Sequence, residues 1–241
     1  MPTTPIDTYR RLRNELKTYE RPDDPLRRAI QLCAVSKFQP VEAIAALYGE
    51  GQRVFGESRA QELEAKAPAL PNDIAWHFIG HLQTNKVRTV LPFVDTIQSI
   101  DSPKLLVEID RIAAQLDIHL NGLLEVKVAQ EATKYGFTEA ALYELLNSNT
   151  LHNLTHLSIR GFMGMASLTD DTAQTRTEFA ALRRIFDHVK NKYFHDAATF
   201  DTLSMGMSGD YHLALDAGSN CVRIGSMLFG AGANEQPLMG S

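Results

Sequence analysis

Short apolar runs alternate along the chain with longer segments whose apolar residues recur at helical spacing. Residues 6–20 predict an amphipathic helix, because Ile6, Leu12 and Leu16 share one face and Arg and Glu fill the other. About eight apolar runs follow, and nearly every one leads through a turn into a helical segment. The runs cover residues 31–36, 53–55, 75–79, 93–98, 120–126, 157–163, 199–205 and 222–225.

This alternation predicts the fold class. Strands that alternate with helices imply βαβ units and a parallel sheet. Eight such units fit a closed (β/α)8 TIM barrel, whereas an open doubly wound sheet usually has fewer strands. No linker, low-complexity segment or further repeat interrupts the pattern, so we expect a single domain over residues 1–241, with the first helix as an extra element that caps the barrel bottom.

Composition and charge limit the class of protein and its possible partners. Hydrophobic residues make up 44% and charged residues 22%, which is typical of a globular protein. The net charge of −5 without a basic block argues against nucleic-acid binding. There is no apolar run long enough for a membrane span and no apolar signal core at the N-terminus, and the two cysteines, Cys33 and Cys221, make no disulfide framework. We therefore expect a cytoplasmic protein without nucleic-acid or membrane partners.

Lys37 directly follows the first strand, in the stretch AVSK at residues 34–37. In a barrel this places the amine at the carboxyl ends of the strands, where active sites are built. Apolar walls and neighbouring cations favour a neutral amine, which condenses with an aldehyde or ketone to a Schiff base. The alternative is a lysine that merely extends from a strand end into water.

Two turns rich in glycine and serine follow the last two strands. One carries Ser204 and Ser208, and the other carries Gly225 and Ser226. Glycine lets a ligand approach the backbone closely, and free backbone N–H groups bind anions. The turns after strands seven and eight are the usual phosphate site of this barrel, so we expect an anion here, with ordinary turn chemistry as the alternative.

Arg223 and His77 are polar residues within apolar strands. A buried arginine needs an acidic partner or a ligand, so Arg223 either donates to a ring nitrogen of a cofactor or pairs with an acid inside the barrel. His77 alternates with Trp76 and Phe78 and is expected to face the barrel interior. Its spacing from His81 is weak evidence for zinc, and we expect no metal.

Seven blocks in a fixed order resemble one family. They are AVSK at 34–37, FGES at 55–58, WHFIGHLQTNK at 76–86, KYGF at 134–137, GFMGM at 161–165, LSMGMSGD at 203–210 and VRIGSMLFG at 222–230. From about residue 8 to residue 231, the chain resembles the pyridoxal phosphate homeostasis proteins, the YggS/PROSC family. That family is similar to the N-terminal barrel of alanine racemase, which implies the fold-type III arrangement for pyridoxal 5′-phosphate (PLP).

The resemblance also implies roles for individual residues. Lys37 corresponds to the lysine that holds PLP as a Schiff base, and Ser204, Gly225 and Ser226 match positions around the phosphate. Arg223 matches the arginine facing the pyridine nitrogen, where its charge opposes protonation of that nitrogen and weakens the ring as an electron sink. The other candidate cofactor contacts are Ser58, His77, Ser208 and Met163, the last as an apolar wall.

Four positions depart from the common family pattern. Ser58 replaces a frequent Asn, His81 a frequent Pro, Ser226 the usual Thr, and Lys127 an Asn often found near the end of the fifth strand. None of the departures changes Lys37 or Arg223, so they bear on individual contacts and leave the expectation of cofactor binding intact.

The function expected from these features is storage or delivery of PLP in intracellular PLP homeostasis, without an established catalytic turnover. We expect a monomer that contacts PLP-dependent apoenzymes transiently. One alternative is a PLP-dependent enzyme acting on amino acids, such as a racemase, which needs a second acid–base group opposite the lysine. Two others are a lysine-dependent aldolase acting on a phosphorylated sugar and a non-catalytic interaction module.

Overall fold

The computed structural model describes residues 4–129 and 135–230; Lys134 of the KYGF block and both ends of the expected domain lie outside them. The strands are β1 Gln31–Val35, β2 Val54–Glu57, β3 Ala75–Phe78, β4 Thr96–Ile100, β5 Leu120–Glu125, β6 Leu157–Met163, β7 Thr202–Ser204 and β8 Cys221–Ile224. The helices are α1 Pro5–Thr18, α2 Val41–Gly49, α3 Ala60–Lys66, α4 Val87–Val90, α5 Pro103–Leu116, α6 Glu139–Asn147, α7 Thr172–Tyr193, α8 Tyr211–Asp216 and α9 Ser226–Phe229.

The strands form one closed parallel barrel. They are hydrogen-bonded in the order of the sequence, and β1 pairs with β8 to close the ring. The predicted (β/α)8 barrel is therefore confirmed. Two strands begin three residues later than expected. β4, expected over residues 93–98, begins at Thr96, because a 3-10 turn over Leu91–Phe93 contains Pro92, and β7, expected over residues 199–205, begins at Thr202.

Helix α1 is the expected extra element. Thr4 and Asp7 form a capping box at its start, and Tyr9, Leu12 and Leu16 are buried on its inner face. The helix packs against α2 and α9, and it contributes Arg13 to a cavity at the barrel bottom, the amino-terminal end of the strands. It therefore forms a side wall of that end, where the sequence analysis expected a cap over it.

The two faces of the barrel differ in character. The apolar core lies between strands and helices, as where Phe162 of β6 packs edge-on against Phe186 of α7 at a centroid distance of 6.0 Å. The barrel interior instead holds buried polar side chains. Gln98 of β4 and Ser204 of β7 are hydrogen-bonded although their strands are not neighbours, so this bond crosses the interior.

Candidate functional site

Lys37 lies in the turn at the top of β1, the carboxyl end of the strand. The residue is half-buried, and its Nζ lies 5.7 Å from the centroid of the Phe38 ring. Phe38 has a φ of 63°, a left-handed conformation that is rare for a bulky residue. The surrounding structure has to hold this turn in place, because the conformation itself is unfavourable.

A buried network, which we call the β1 clamp, holds the turn; it consists of Ser36, Glu57, Glu62 and Lys66. The ammonium of Lys66 donates to the Ser36 carbonyl oxygen at 2.9 Å, to Glu57 at 2.9 Å and to Glu62 at 2.6 Å. The Ser36 hydroxyl donates to Glu57 at 2.7 Å, and the Phe38 N–H donates to Glu62 at 2.7 Å. The clamp thus fixes the backbone on both sides of Lys37, and the sequence analysis did not find it.

Burial and pairing act against each other within the clamp. Burial raises the pKa of Glu57, and the hydrogen bonds from Lys66 and Ser36 oppose the shift. For Glu62 burial also acts upward, but the hydrogen bonds from Lys66 and Phe38 outweigh it and lower the pKa. Oε2 of Glu57 is buried and has no hydrogen-bond partner among the described residues, so Glu57 depends strongly on Lys66 for compensation.

The turn after β8 lies beside Lys37. Ala34 and Ile224 are partners in the register between β1 and β8, and the next residues up the barrel are Val35 and Gly225. A Cβ added to Gly225 would lie 3.2 Å from both the Cβ and the carbonyl oxygen of Val35. Glycine therefore permits the close approach of this turn to the base of the Lys37 turn.

Two backbone N–H groups of the same turn converge on one point. The N–H groups of Gly225 and Met227 both donate to Oγ of Ser208, at 3.3 and 3.4 Å. Bonds of this length are weak, so the hydroxyl can give way to a stronger acceptor. Ser226 is exposed at this turn. The structure thus brings Ser208, Gly225 and Ser226 together as the sequence analysis expected.

Arg223 lies below this turn, inside the barrel. Its Nη1 donates to Oγ of Ser204 at 2.6 Å and its Nη2 donates to the carbonyl oxygen of Gly164 at 3.0 Å. Ser204 in turn donates to Oε1 of Gln98 at 2.6 Å, and the Gln98 amide donates to Nδ1 of His77 at 2.7 Å. This series of bonds, which we call the interior chain, orients the guanidinium. Burial lowers the pKa of Arg223.

His77 faces inward as predicted, but it belongs to the lower half of the barrel. It lines a small cavity at the barrel bottom with Asp95, Thr96 and Asn121, which lie within one residue of the starts of their strands. Burial lowers the pKa of His77 to about 4, and Asp95 opposes the shift from 3.9 Å. Among the described residues, hydrogen bonds connect the ring to the upper site through Gln98, and a direct cofactor contact of His77 stays a prediction.

The structure also assigns surroundings to the remaining candidates. Ser204 is fully buried, and its hydroxyl is committed to Arg223 and Gln98, so it lies beneath the expected phosphate position. Met163 is buried at the end of β6, paired with Ser204. Ser58 follows β2, and its hydroxyl makes no hydrogen bond to another described residue. The N-cap residue of α3 is Arg59, and a cofactor contact of Ser58 stays a prediction.

Glu125, at the end of β5, is an ionisable group that the sequence analysis missed. It is buried, and burial raises its pKa to about 7; Asp101 adds to the rise and Arg223 opposes it. A single glutamate at a strand end carries no signal in the sequence that separates it from solvated acids. Among the described residues, no group of three or more potential metal ligands is present, and no helix is long and apolar enough to cross a membrane.

The fold and the arrangement of the site agree with comparisons to known proteins. The family model described as "Alanine racemase, N-terminal domain" matches residues 23–233. Curated relatives include the pyridoxal phosphate homeostasis proteins of Vibrio alginolyticus, 39% identical over 84% of this chain and 87% of that protein, and of Synechocystis, 38% identical over 84% of this chain and 91% of that protein. The chain is thus built on the alanine racemase N-terminal barrel. It belongs to the pyridoxal phosphate homeostasis protein family.

Solved structures support the same placement. The structure of PipY from Synechococcus elongatus with PLP bound is similar with a TM-score of 0.75 and 38% identity, over 83% of this chain and 92% of that one. PipY without PLP gives a TM-score of 0.80 and 36% identity, over 90% and 97%. Alanine racemase of Clostridium difficile gives a TM-score of 0.66 at 16% identity, and this chain covers 59% of it, so that likeness shows the fold alone.

Proposed function

We propose that this protein binds PLP at the top of the barrel and serves in PLP homeostasis in the cytoplasm, storing the cofactor and delivering it as a monomer to apoenzymes. The observation that carries the proposal is the close packing of Gly225 against Val35 at the end of β1, which places the turn after β8 beside the turn that carries Lys37. Curated relatives named for this role and the PLP bound to PipY support it.

The residues present fit the cofactor. PLP supplies an aldehyde that condenses reversibly with an amine. Lys37 offers the amine, and the turn that carries Gly225 offers two convergent N–H groups to a phosphate, with the hydroxyls of Ser208 and Ser226 nearby. Because Gly225 has no side chain, the backbone of β8 comes close enough to β1 for one small molecule to reach both turns.

Arg223 places a fixed positive charge near the expected position of the cofactor ring. Ser204 and Gly164 hold its guanidinium at two of its nitrogens, and the side chain is buried. A fixed cation at this depth opposes a second positive charge on a ring nitrogen above it. Such an environment favours binding and release of the cofactor over chemistry that needs a protonated ring.

Cofactor transfer tests this function. The protein is loaded with PLP, freed of unbound cofactor, and mixed with an apo-form PLP-dependent enzyme whose regained activity is measured. We expect loaded wild type to restore activity, whereas Lys37→Ala, loaded and desalted in the same way, restores little. Lys104→Ala, which removes an exposed lysine, serves as the matched control and should behave as wild type. A protein that retains no PLP, or retains it without release to the apoenzyme, contradicts the proposal.

A further inference from the structure

The cavity to which α1 contributes Arg13 opens at the barrel bottom, at the opposite end from Lys37, and it is larger than the small cavity beside His77. Its volume is about 570 Å3, within the range of pockets that hold metabolites. Its walls come from α1, from the segments that precede β1 and β2, and from β6, β7 and β8. The PLP proposal does not use this cavity.

The described lining of this cavity is strongly cationic. Arg13 of α1, Arg28 before β1, Arg53 before β2 and Arg160 of β6 all line it, while Asp201 is the single carboxylate among its described lining residues. Asp201 already accepts a hydrogen bond from the Thr202 hydroxyl at 3.1 Å. In a chain with a net charge of −5, this local excess of guanidinium groups favours an anionic ligand.

Some of the guanidinium donors of this cavity lack an acceptor. Nε of Arg160 is buried without a hydrogen-bond partner among the described residues, while its Nη1 donates to Asn121 at 3.5 Å and its Nη2 forms a salt bridge with Asp201 at 3.6 Å. The side chains of Arg13 and Arg28 make no hydrogen bond or salt bridge within residues 4–129 and 135–230. A buried N–H without an acceptor is costly, so a ligand that supplies one is stabilised.

Arg53 has a different part in this cavity. Its guanidinium donates to Asp73 and to the backbone of Tyr48 and stacks over the Tyr48 ring at 3.9 Å. It therefore contributes charge from a fixed position. The rest of the lining is mixed: Gln31, Thr202 and Asn220 are polar, and Leu26, Ile30 and Leu32 are buried and apolar. A cationic lining with both polar and apolar patches suits an organic molecule with anionic groups.

We propose that this bottom cavity binds a small organic anion carrying at least two phosphate or carboxylate groups, with Arg28 and Arg160 as its main donors. Both groups present the paired oxygens that a guanidinium binds in a bidentate manner. The proposal is independent of PLP, because its residues lie at the other end of the barrel from Lys37 and Gly225.

Titration calorimetry of the full chain without PLP tests the proposal, with pyrophosphate and citrate as separate probes at low ionic strength. The cavity variant is Arg28→Gln with Arg160→Gln. The control variant is Arg111→Gln with Arg184→Gln, which removes the same charge from two exposed arginines outside the cavity. We expect at least one probe to bind wild type with a Kd below about 1 mM, to bind the cavity variant at least tenfold more weakly, and to bind the control within twofold of wild type.

Three outcomes overturn the proposal. The first is that neither probe binds. The second is that the cavity variant binds as tightly as wild type, which places binding away from Arg28 and Arg160. The third is that the control variant loses as much affinity as the cavity variant, which shows a response to net charge. Arg28→Gln alone alters an exposed residue and should weaken binding at least threefold while the circular dichroism spectrum stays unchanged. Failure of the PLP proposal would leave every one of these measurements interpretable.

Discussion

At the residue scale, Glu125 makes stability depend on pH. Its carboxyl keeps a proton in the folded protein up to about pH 7, whereas its ordinary pKa is 4.5. Between these values the folded state binds more protons than the unfolded state, so the free energy of unfolding falls as pH rises. The contribution is complete below pH 4.5 and is lost as pH rises through 7, a change on the order of 3 kcal/mol.

Glu125→Gln should remove this contribution, because the amide stays neutral. We expect the variant to match wild type near pH 4.5 and to exceed it increasingly up to pH 8, as measured by urea unfolding. Glu64→Gln, at an exposed position of α3, should give a difference from wild type that does not vary with pH. A Glu125→Gln difference that is equally flat would contradict the raised pKa. His77, whose pKa is lowered, makes the free energy of unfolding depend on pH in the opposite direction. This effect cancels in the difference between wild type and either variant, because all three proteins retain His77.

The interior chain gives a second prediction at this scale. Gln98→Leu removes the acceptor of the Ser204 hydroxyl, so the Ser204 oxygen no longer holds Arg223 in a single orientation. PLP affinity should fall about tenfold, corresponding to roughly one hydrogen bond. Absorbance titration with PLP measures it, and Gln61→Leu on the surface of α3 is the control. An unchanged PLP affinity in Gln98→Leu would show that the interior chain of hydrogen bonds does not contribute to cofactor binding.

At the element scale, the β1 clamp connects β1, β2 and α3 through buried charges. Lys66→Met leaves Glu57 buried without its cation, which should lower the free energy of unfolding by about 3–5 kcal/mol. Glu57→Gln in the same chain removes the uncompensated charge while Ser36 keeps its acceptor, so the double variant should recover part of the loss. Urea unfolding measures both, and Lys104→Met, an exposed replacement, should stay within about 0.5 kcal/mol of wild type. No recovery in the double variant would rule out charge compensation as the clamp's role.

The candidate residues at the strand ends were predictable from the sequence, because functional sites of such barrels lie at the carboxyl ends of the strands. Lys37 and Gly225 follow apolar runs, and closure of β1 on β8 makes them neighbours without further information. Alternation also predicted that His77 faces inward, but it does not report height along the barrel axis, so the ring proved to lie in the lower half. Period-2 patterning fixes the face of the strand on which a side chain lies, and it leaves the depth of that side chain along the barrel axis open.

Contacts between distant segments could not be predicted. The bond between Gln98 and Ser204 joins residues 106 positions apart across the barrel, and it exists only because the sheet closes. From the sequence, Lys66 is indistinguishable from an exposed lysine on a helix surface. It is buried only because α3 packs over β2. The bottom arginines come from separate segments, and only the three-dimensional fold collects them into one cavity.

At the scale of the whole molecule, barrel closure protects both thiols. Cys33 of β1 and Cys221 of β8 are fully buried on the two strands that close the ring, and burial raises the pKa of each. Both should react with a thiol reagent only when the barrel opens, at a rate that rises with urea as global unfolding does. Rapid labelling of either thiol in native buffer would contradict a closed β1–β8 seam.

The proposed function depends on Lys37 as the residue that captures PLP. The most direct measurement is borohydride reduction of the PLP-loaded protein followed by mass mapping of its peptides. We expect the peptide that contains Lys37 to carry the added mass of one reduced PLP. In Lys37→Ala, no peptide should carry this adduct in a comparable amount. A reduced adduct that persists undiminished on another lysine in Lys37→Ala would contradict the capture of PLP by Lys37.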